Sequence, residues 1–89
     1  MVLTYFKDKV VVITGGATGI GFGLAMEMGQ RGATIVLAEP REHKLQEAIQ
    51  KLHAAGVSAS YKICDVTSLS QVEALADFAW NQYGHVDAL

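Results

Sequence analysis

With 89 residues the chain is sized for one small globular domain, and its composition, 51% hydrophobic and 18% charged with 9 Gly, 1 Pro and 1 Cys, excludes disordered, collagen-like and disulfide-rich classes. A formal net charge of -2, with acidic and basic residues interspersed, leaves no basic stripe for a nucleic-acid backbone. The lone cysteine, Cys64, cannot form an internal disulfide and suits a reducing compartment, and the first residues resemble neither a signal peptide nor a membrane span, so a cytoplasmic protein with no membrane partner is expected.

In chain order, residues 9–14 read Lys-Val-Val-Val-Ile-Thr, a run of β-branched residues that predicts a strand buried on both faces. A first helix is predicted over 19–31, with Ile20, Leu24 and Met28 as its inner stripe, Arg31 in its last turn and Gly32 as its cap. A second strand over 33–38 contains Ile35, Val36 and Leu37. A second helix from about 41 to 55 follows, with Pro40 in its first turn, Leu45, Ala48, Ile49 and Leu52 on one stripe, and Gly56 at its end.

Residues 58–64 predict a third strand, with Cys64 as a buried strand residue. A capping box at Ser70-Gln-Val-Glu73 predicts the start of a third helix, whose inner face is read as Val72, Ala76 and Ala79 with Leu75 and Phe78 beside them. Phe78, Trp80 and Tyr83 are expected to pack on protein rather than to stack on a base. The segment from Gly84 to Leu89 is where a fourth strand is expected to begin.

This β-α-β-α-β-α alternation, with right-handed crossovers, predicts an α/β fold: a Rossmann-type, doubly wound parallel sheet in the spatial order 3-2-1. Residues 1–89 are accordingly expected to be the N-terminal part of a single, incomplete dinucleotide-binding domain. Without a fourth strand the first would be an apolar edge, so a homo-oligomer through that edge or through apolar helix faces is expected.

The segment Thr14-Gly15-Gly16-Ala17-Thr18-Gly19-Ile20-Gly21 lies between the predicted strand and helix, which gives its glycines separate tasks. Gly15 turns the chain off the strand, Gly19 removes a side chain where backbone approaches a pyrophosphate, and Gly21 allows tight helix packing. First-turn N–H groups near Ile20, with the Thr18 hydroxyl, can then donate to phosphate oxygens. The spacing is Gly-x-x-x-Gly-x-Gly, not Gly-x-Gly-x-x-Gly, and no Gly-Lys-Ser/Thr follows, so a nucleoside-triphosphatase phosphate loop is excluded.

Glu39, directly after the second strand, stands where an acid accepts hydrogen bonds from an adenosine ribose, which favours NAD; Arg41 nearby can partly offset the repulsion of a 2′-phosphate, so NADP is the lesser reading. The plainer reading of Glu39 is a carboxylate stabilising a helix dipole. Asp65 and Val66 close the third strand on the same edge, and for Asp65 the pattern equally allows a turn residue bonded to its own backbone.

Taken together these residues resemble the short-chain dehydrogenase/reductase family, classical type, whose members carry Thr-Gly-x-x-x-Gly-Ile-Gly after the first strand, an acid after the second in NAD-preferring forms and Asp-Val after the third. The match spans essentially all of the chain. The resemblance implies that Asp65 meets the adenine amino group, the Val66 backbone the adenine edge and Glu39 the ribose hydroxyls. It also implies a parent that oxidises an alcohol or reduces a carbonyl.

The family's catalytic Ser and Tyr-x-x-x-Lys are not found after this point, so no catalytic residue is assigned and the chain alone is expected to be inactive. Tyr5 and Lys9 have the right spacing but precede the first strand, which places them off any helix. His43, His53 and His85 lack ligand spacing, so no metal is expected. A stand-alone nucleotide-binding module or inactive remnant is the alternative, followed by a fragment of an S-adenosylmethionine methyltransferase.

Overall fold

A computed structural model describes residues 8–85. It contains β1 (Val10–Thr14), α1 (Gly19–Gln30), β2 (Thr34–Glu39), α2 (Glu42–Ala54), β3 (Ala59–Ile63) and α3 (Leu69–Tyr83). The strands form one parallel sheet in the order β1-β2-β3, which is the expected 3-2-1 read from the other edge. Val10 pairs with Thr34 and Ile35 with Ala59, so β2 is the central strand. The expected fourth strand over 86–89, and Tyr5 of the rejected Tyr–Lys pair, lie outside the described residues.

The alternation of side chains along β2 explains the three-layer build. Ile35 and Leu37 join Val11, Ala25, Leu45, Ala48 and Leu52 in a core between the sheet and α1 and α2. Val36 and Ala38 turn to the other face and join Val10, Val12, Cys64, Leu75 and Ala79 beneath α3. Residues 35–38 have no exposed surface, as a strand covered on both sides requires. Each buried Leu or Ile contributes about 1.5–3 kcal/mol.

Gly32, at φ 103, and Gly56, at φ 78, close α1 and α2 as the sequence predicts. In both cases the reversing chain returns N–H bonds to the last turn: Ala33 to the Met28 carbonyl at 3.1 Å and Val57 to the Leu52 carbonyl at 2.9 Å.

Three local readings are corrected. In α1, Ile20 is 85% exposed and Leu24 51% exposed, and the inner face is instead Gly21, Ala25 and Gly29, flanked by the partly buried Phe22, Met26 and Met28. A Cβ at Gly29 would lie 2.3 Å from a Val57 methyl, and one at Gly21 would lie 2.5 Å from the Gly15 carbonyl oxygen. The helix therefore rests on its small residues, because only they allow its backbone so close to its neighbours; a reading keyed to large apolar residues selects the wrong face.

The second correction concerns α2, which begins at Glu42 with Arg41 as N-cap, so Pro40 precedes the helix instead of lying in its first turn. The third concerns α3, which begins at Leu69, before the predicted Ser70 box. Its N-cap is Ser68, whose Oγ accepts from the Gln71 N–H at 3.4 Å. Ser68-Leu-Ser-Gln71 carries the other form of the box, Ser-x-x-Gln in place of Ser-x-x-Glu, two residues earlier. Leu75 and Ala79 are buried on α3 and Val72, Phe78 and Tyr83 pack partly against the core, while Ala76 is exposed and Trp80 is 60% exposed.

Candidate functional site

The ladder of β-sheet hydrogen bonds runs one residue past the strand ends, and this aligns the candidate residues. The Gly15 N–H donates to the Ala38 carbonyl at 2.8 Å, and the Cys64 N–H donates to the Glu39 carbonyl at 3.1 Å. The glycine turn, Glu39 and the Cys64-Asp65 segment are thus tied in a row along the carboxyl edge of the sheet. That edge is where open parallel sheets bind ligands.

At one end of the row stands the glycine turn. Gly15, at φ 67, and Gly19, at φ 62, both occupy the left-handed region, where a side chain is strained. Gly16 is held differently: a Cβ there would meet a Leu37 methyl at 2.6 Å and the Ile13 carbonyl at 3.0 Å, a role for which only the glycine pair was a signal. Gly21 allows the tight helix packing expected of it, and the surface it packs on is the backbone of Gly15 and Gly16.

Thr18 is the N-cap of α1, extended at φ -144 and ψ 164, and its hydroxyl makes no capping bond. The first turn of α1 holds no acidic residue. The N–H groups of Gly19, Ile20 and Gly21 therefore point out of the helix start without a local carboxylate, beside a hydroxyl still able to donate. Such an end attracts an anion through its unpaired donors and the helix dipole.

In the middle of the row, Glu39 is 4% exposed. Its carboxylate is held by Arg41: Nε donates to Oε1 at 2.8 Å, Nη2 donates to the same oxygen, and the Arg41 backbone N–H donates to Oε2 at 2.5 Å. The Arg41 side-chain bonds hold the Glu39 carboxyl below its ordinary range, against the opposing effect of burial. Glu39 is thus an anion at neutral pH, and its hydrogen-bond partner is Arg41, the N-cap residue of α2. The sequence placed Arg41 near this edge, but nothing in the spacing indicated a pairing.

At the far end, Asp65 is half-buried and its Oδ1 accepts from the Thr67 N–H at 2.9 Å and the Thr67 hydroxyl at 2.7 Å. These bonds lower its pKa. The turn reading of Asp65 is therefore realised, and because both bonds fall on Oδ1 it is compatible with a contact through Oδ2. The Asp65 N–H donates to the Gln71 side-chain oxygen at 2.7 Å, a support that sequence reading missed because a Gln at a helix start reads as a cap residue. Val66 is 57% exposed beside it, and Cys64 is fully buried with its thiol 3.6 Å from the Gln71 carbonyl.

Among the described residues no helix is long and apolar enough to cross a membrane. Comparison with known proteins gives consistent results. The family profile described as short chain dehydrogenase matches residues 9–89. The curated protein tropinone reductase-like 3 of Erythroxylum coca is 32% identical over 84 residues, which are 94% of this chain and 33% of that protein.

Among solved structures, a short chain dehydrogenase/reductase from Burkholderia phymatum in complex with NAD superposes with a TM-score of 0.87 at 38% identity, covering 91% of this chain and 29% of that one. A metagenomic short-chain oxidoreductase in complex with NADP superposes with a TM-score of 0.88 at 30% identity, covering 92% and 37% respectively. The chain spans about a third of the length of the curated relatives it matches.

Proposed function

This chain belongs to the short chain dehydrogenase family, and from that premise we propose that its carboxyl edge binds the adenosine-diphosphate half of a nicotinamide dinucleotide, as the N-terminal portion of a single dinucleotide-binding domain. The observation that carries this reading is the row of hydrogen-bonded strand ends, Gly15 to Ala38 and Glu39 to Cys64, which puts an anion-attracting helix start, a buried acid and Asp65 along one edge. Two of the solved relatives hold NAD and NADP respectively.

Within this proposal Gly15, Gly19 and Gly21 give the pyrophosphate close access to backbone, and the Ile20 N–H and Thr18 hydroxyl donate to its oxygens. Glu39 accepts from the adenosine ribose, Asp65 accepts the adenine amino group through Oδ2, and Val66 borders the adenine edge. NAD is preferred over NADP, because Glu39 is anionic and a 2′-phosphate beside it is repelled. A bound nicotinamide carries a hydride to or from a carbon atom. We assign to the whole cytoplasmic protein the oxidation of an alcohol or the reduction of a carbonyl, and to residues 1–89 cofactor capture without proton transfer.

Titration calorimetry on the chain tests this. NADH is expected to bind, and Glu39→Ala to weaken it. No heat with NADH or NADPH refutes the site, and tighter binding of NADPH than NADH by the unaltered chain refutes the stated preference. A methyltransferase reading is disfavoured by the family match over residues 9–89.

A further inference from the structure

We propose that Gln71 is a positioning residue for purine recognition: its side chain fixes the backbone of Asp65, so that Oδ2 is held facing the 6-amino group of a bound adenine. The inference rests on the reading of Asp65 as the adenine acceptor and concerns what holds Asp65 in place.

Among the described residues β3 is an edge strand, paired with β2 on one side. The Cys64 N–H points to that side and donates to the Glu39 carbonyl at 3.1 Å. Backbone groups of successive residues alternate in direction along extended chain, so the next N–H, that of Asp65, points away from β2 and needs another acceptor. Gln71, in the first turn of α3, supplies it: its Oε1 accepts from the Asp65 N–H at 2.7 Å.

Gln71 ties the same connection at two further points. Its N–H donates to Ser68 Oγ at 3.4 Å, and its carbonyl accepts from the Cys64 thiol at 3.6 Å. Asp65 is also held from within the turn. The Ser68 N–H donates to its carbonyl at 3.0 Å, and the Thr67 N–H and hydroxyl both donate to Oδ1. The N–H, carbonyl and Oδ1 of Asp65 are therefore engaged, and among the described residues Oδ2 has no partner.

The two supports differ in what they fix. Thr67 orients the carboxylate relative to its own turn, and the turn could still shift as a unit. Gln71 anchors that turn to α3, which Leu75 and Ala79 seat on the sheet. Without the Gln71 oxygen the turn shifts and carries Oδ2 with it, and a misaligned hydrogen bond weakens steeply. The property at stake is selectivity. Adenine offers Oδ2 an amino donor, whereas hypoxanthine offers a carbonyl oxygen, which a carboxylate repels.

The probes are ADP and IDP, which differ at that edge of the purine, titrated calorimetrically into the full chain and into Gln71→Met, Gln71→Glu and Asp65→Asn. The unaltered chain is expected to prefer ADP, and Asp65→Asn to abolish the preference. Gln71→Met, close to Gln in length and helix propensity but ending in a weak acceptor, is expected to lower the preference roughly fivefold. Gln71→Glu, which keeps an acceptor at the same reach, is expected to retain it. A role confined to the start of α3 weakens both ligands by the same factor, so an unchanged ADP-to-IDP ratio in Gln71→Met overturns the positioning role while nucleotide binding stands. An equal loss of preference in Gln71→Glu and Gln71→Met overturns it as well. If the unaltered chain binds neither ligand, or Asp65→Asn keeps the preference for ADP, the adenine reading is overturned and this proposal with it.

Discussion

Replacing Gly21 by Ala tests the packing of the glycine turn most directly, because α1 carries its own control. Gly21 and Gly23 both lie in α1, so Ala at either position gains about 0.5–1 kcal/mol of helix propensity. Nothing lies within 4 Å of a Cβ at Gly23, whereas a Cβ at Gly21 lies 2.5 Å from the Gly15 carbonyl oxygen and 3.0 Å from the Gly16 Cα. Those neighbours are backbone, held by the bond from Gly15 to the Ala38 carbonyl, and cannot rotate away.

The Gly21→Ala contact is roughly an ångström short of ordinary van der Waals distance, and overpacking of that kind costs about 1–3 kcal/mol. The propensity gain is common to both variants, so the difference between them isolates the clash. Gly23→Ala is expected to be more stable than the parent, and Gly21→Ala to lie about 1–3 kcal/mol below Gly23→Ala. In thermal unfolding this separates their midpoints by about 4–8 °C per kcal/mol for a domain of this size. Gly21→Ala is also expected to weaken ADP-ribose binding by displacing the turn, and Gly23→Ala to leave it unchanged. Equal midpoints for the two variants would show that α1 does not rest on the turn.

Two further outcomes follow from the polar contacts. The Glu39 carboxyl is held below its ordinary value of 4.5 chiefly by the Arg41 side chain, with a smaller contribution from His43. A depressed acid stabilises the fold fully above its unfolded pKa and loses that contribution as pH falls through the folded value. The gap in melting temperature between the parent and Arg41→Ala is therefore expected to be widest at neutral pH and to close well below pH 4.5; a gap that persists at low pH contradicts the pairing. At the start of α3, Ser68→Ala is expected to cost about 1 kcal/mol through loss of the cap, and Ser70→Ala less than about 0.5 kcal/mol; urea unfolding of both variants distinguishes Ser68 from Ser70 as the capping residue.

Much of this fold was legible in consecutive residues, because the forces involved act over a few positions. The β-branched run at Val10–Ile13 predicts a strand buried on both faces and the apolar run at Ile35–Leu37 a second strand, and Gly32 and Gly56 predict the helix ends, since left-handed backbone excludes most side chains whatever surrounds it. The stripe of Leu45, Ala48 and Leu52 was readable for the same reason. The positions of Gly15, Glu39 and Asp65 at strand ends followed from the alternation of elements.

Tertiary structure decided which way those elements face and what they hold. The burial of Gly21, Ala25 and Gly29 in place of Ile20 and Leu24 depends on the approach of Val57 and of the Gly15 carbonyl, groups far from one another along the chain. Capping of α3 by Ser68 depends on Gln71 being drawn to the Asp65 N–H. The clasp of Arg41 on Glu39 depends on the chain turning at Pro40 with the carboxylate folded beneath it. The face of α1 is thus chosen by a contact between segments distant in sequence, whereas the Ser68 cap and the Arg41 clasp are set by bonds within the turns that follow β3 and β2, where several nearby residues could have served.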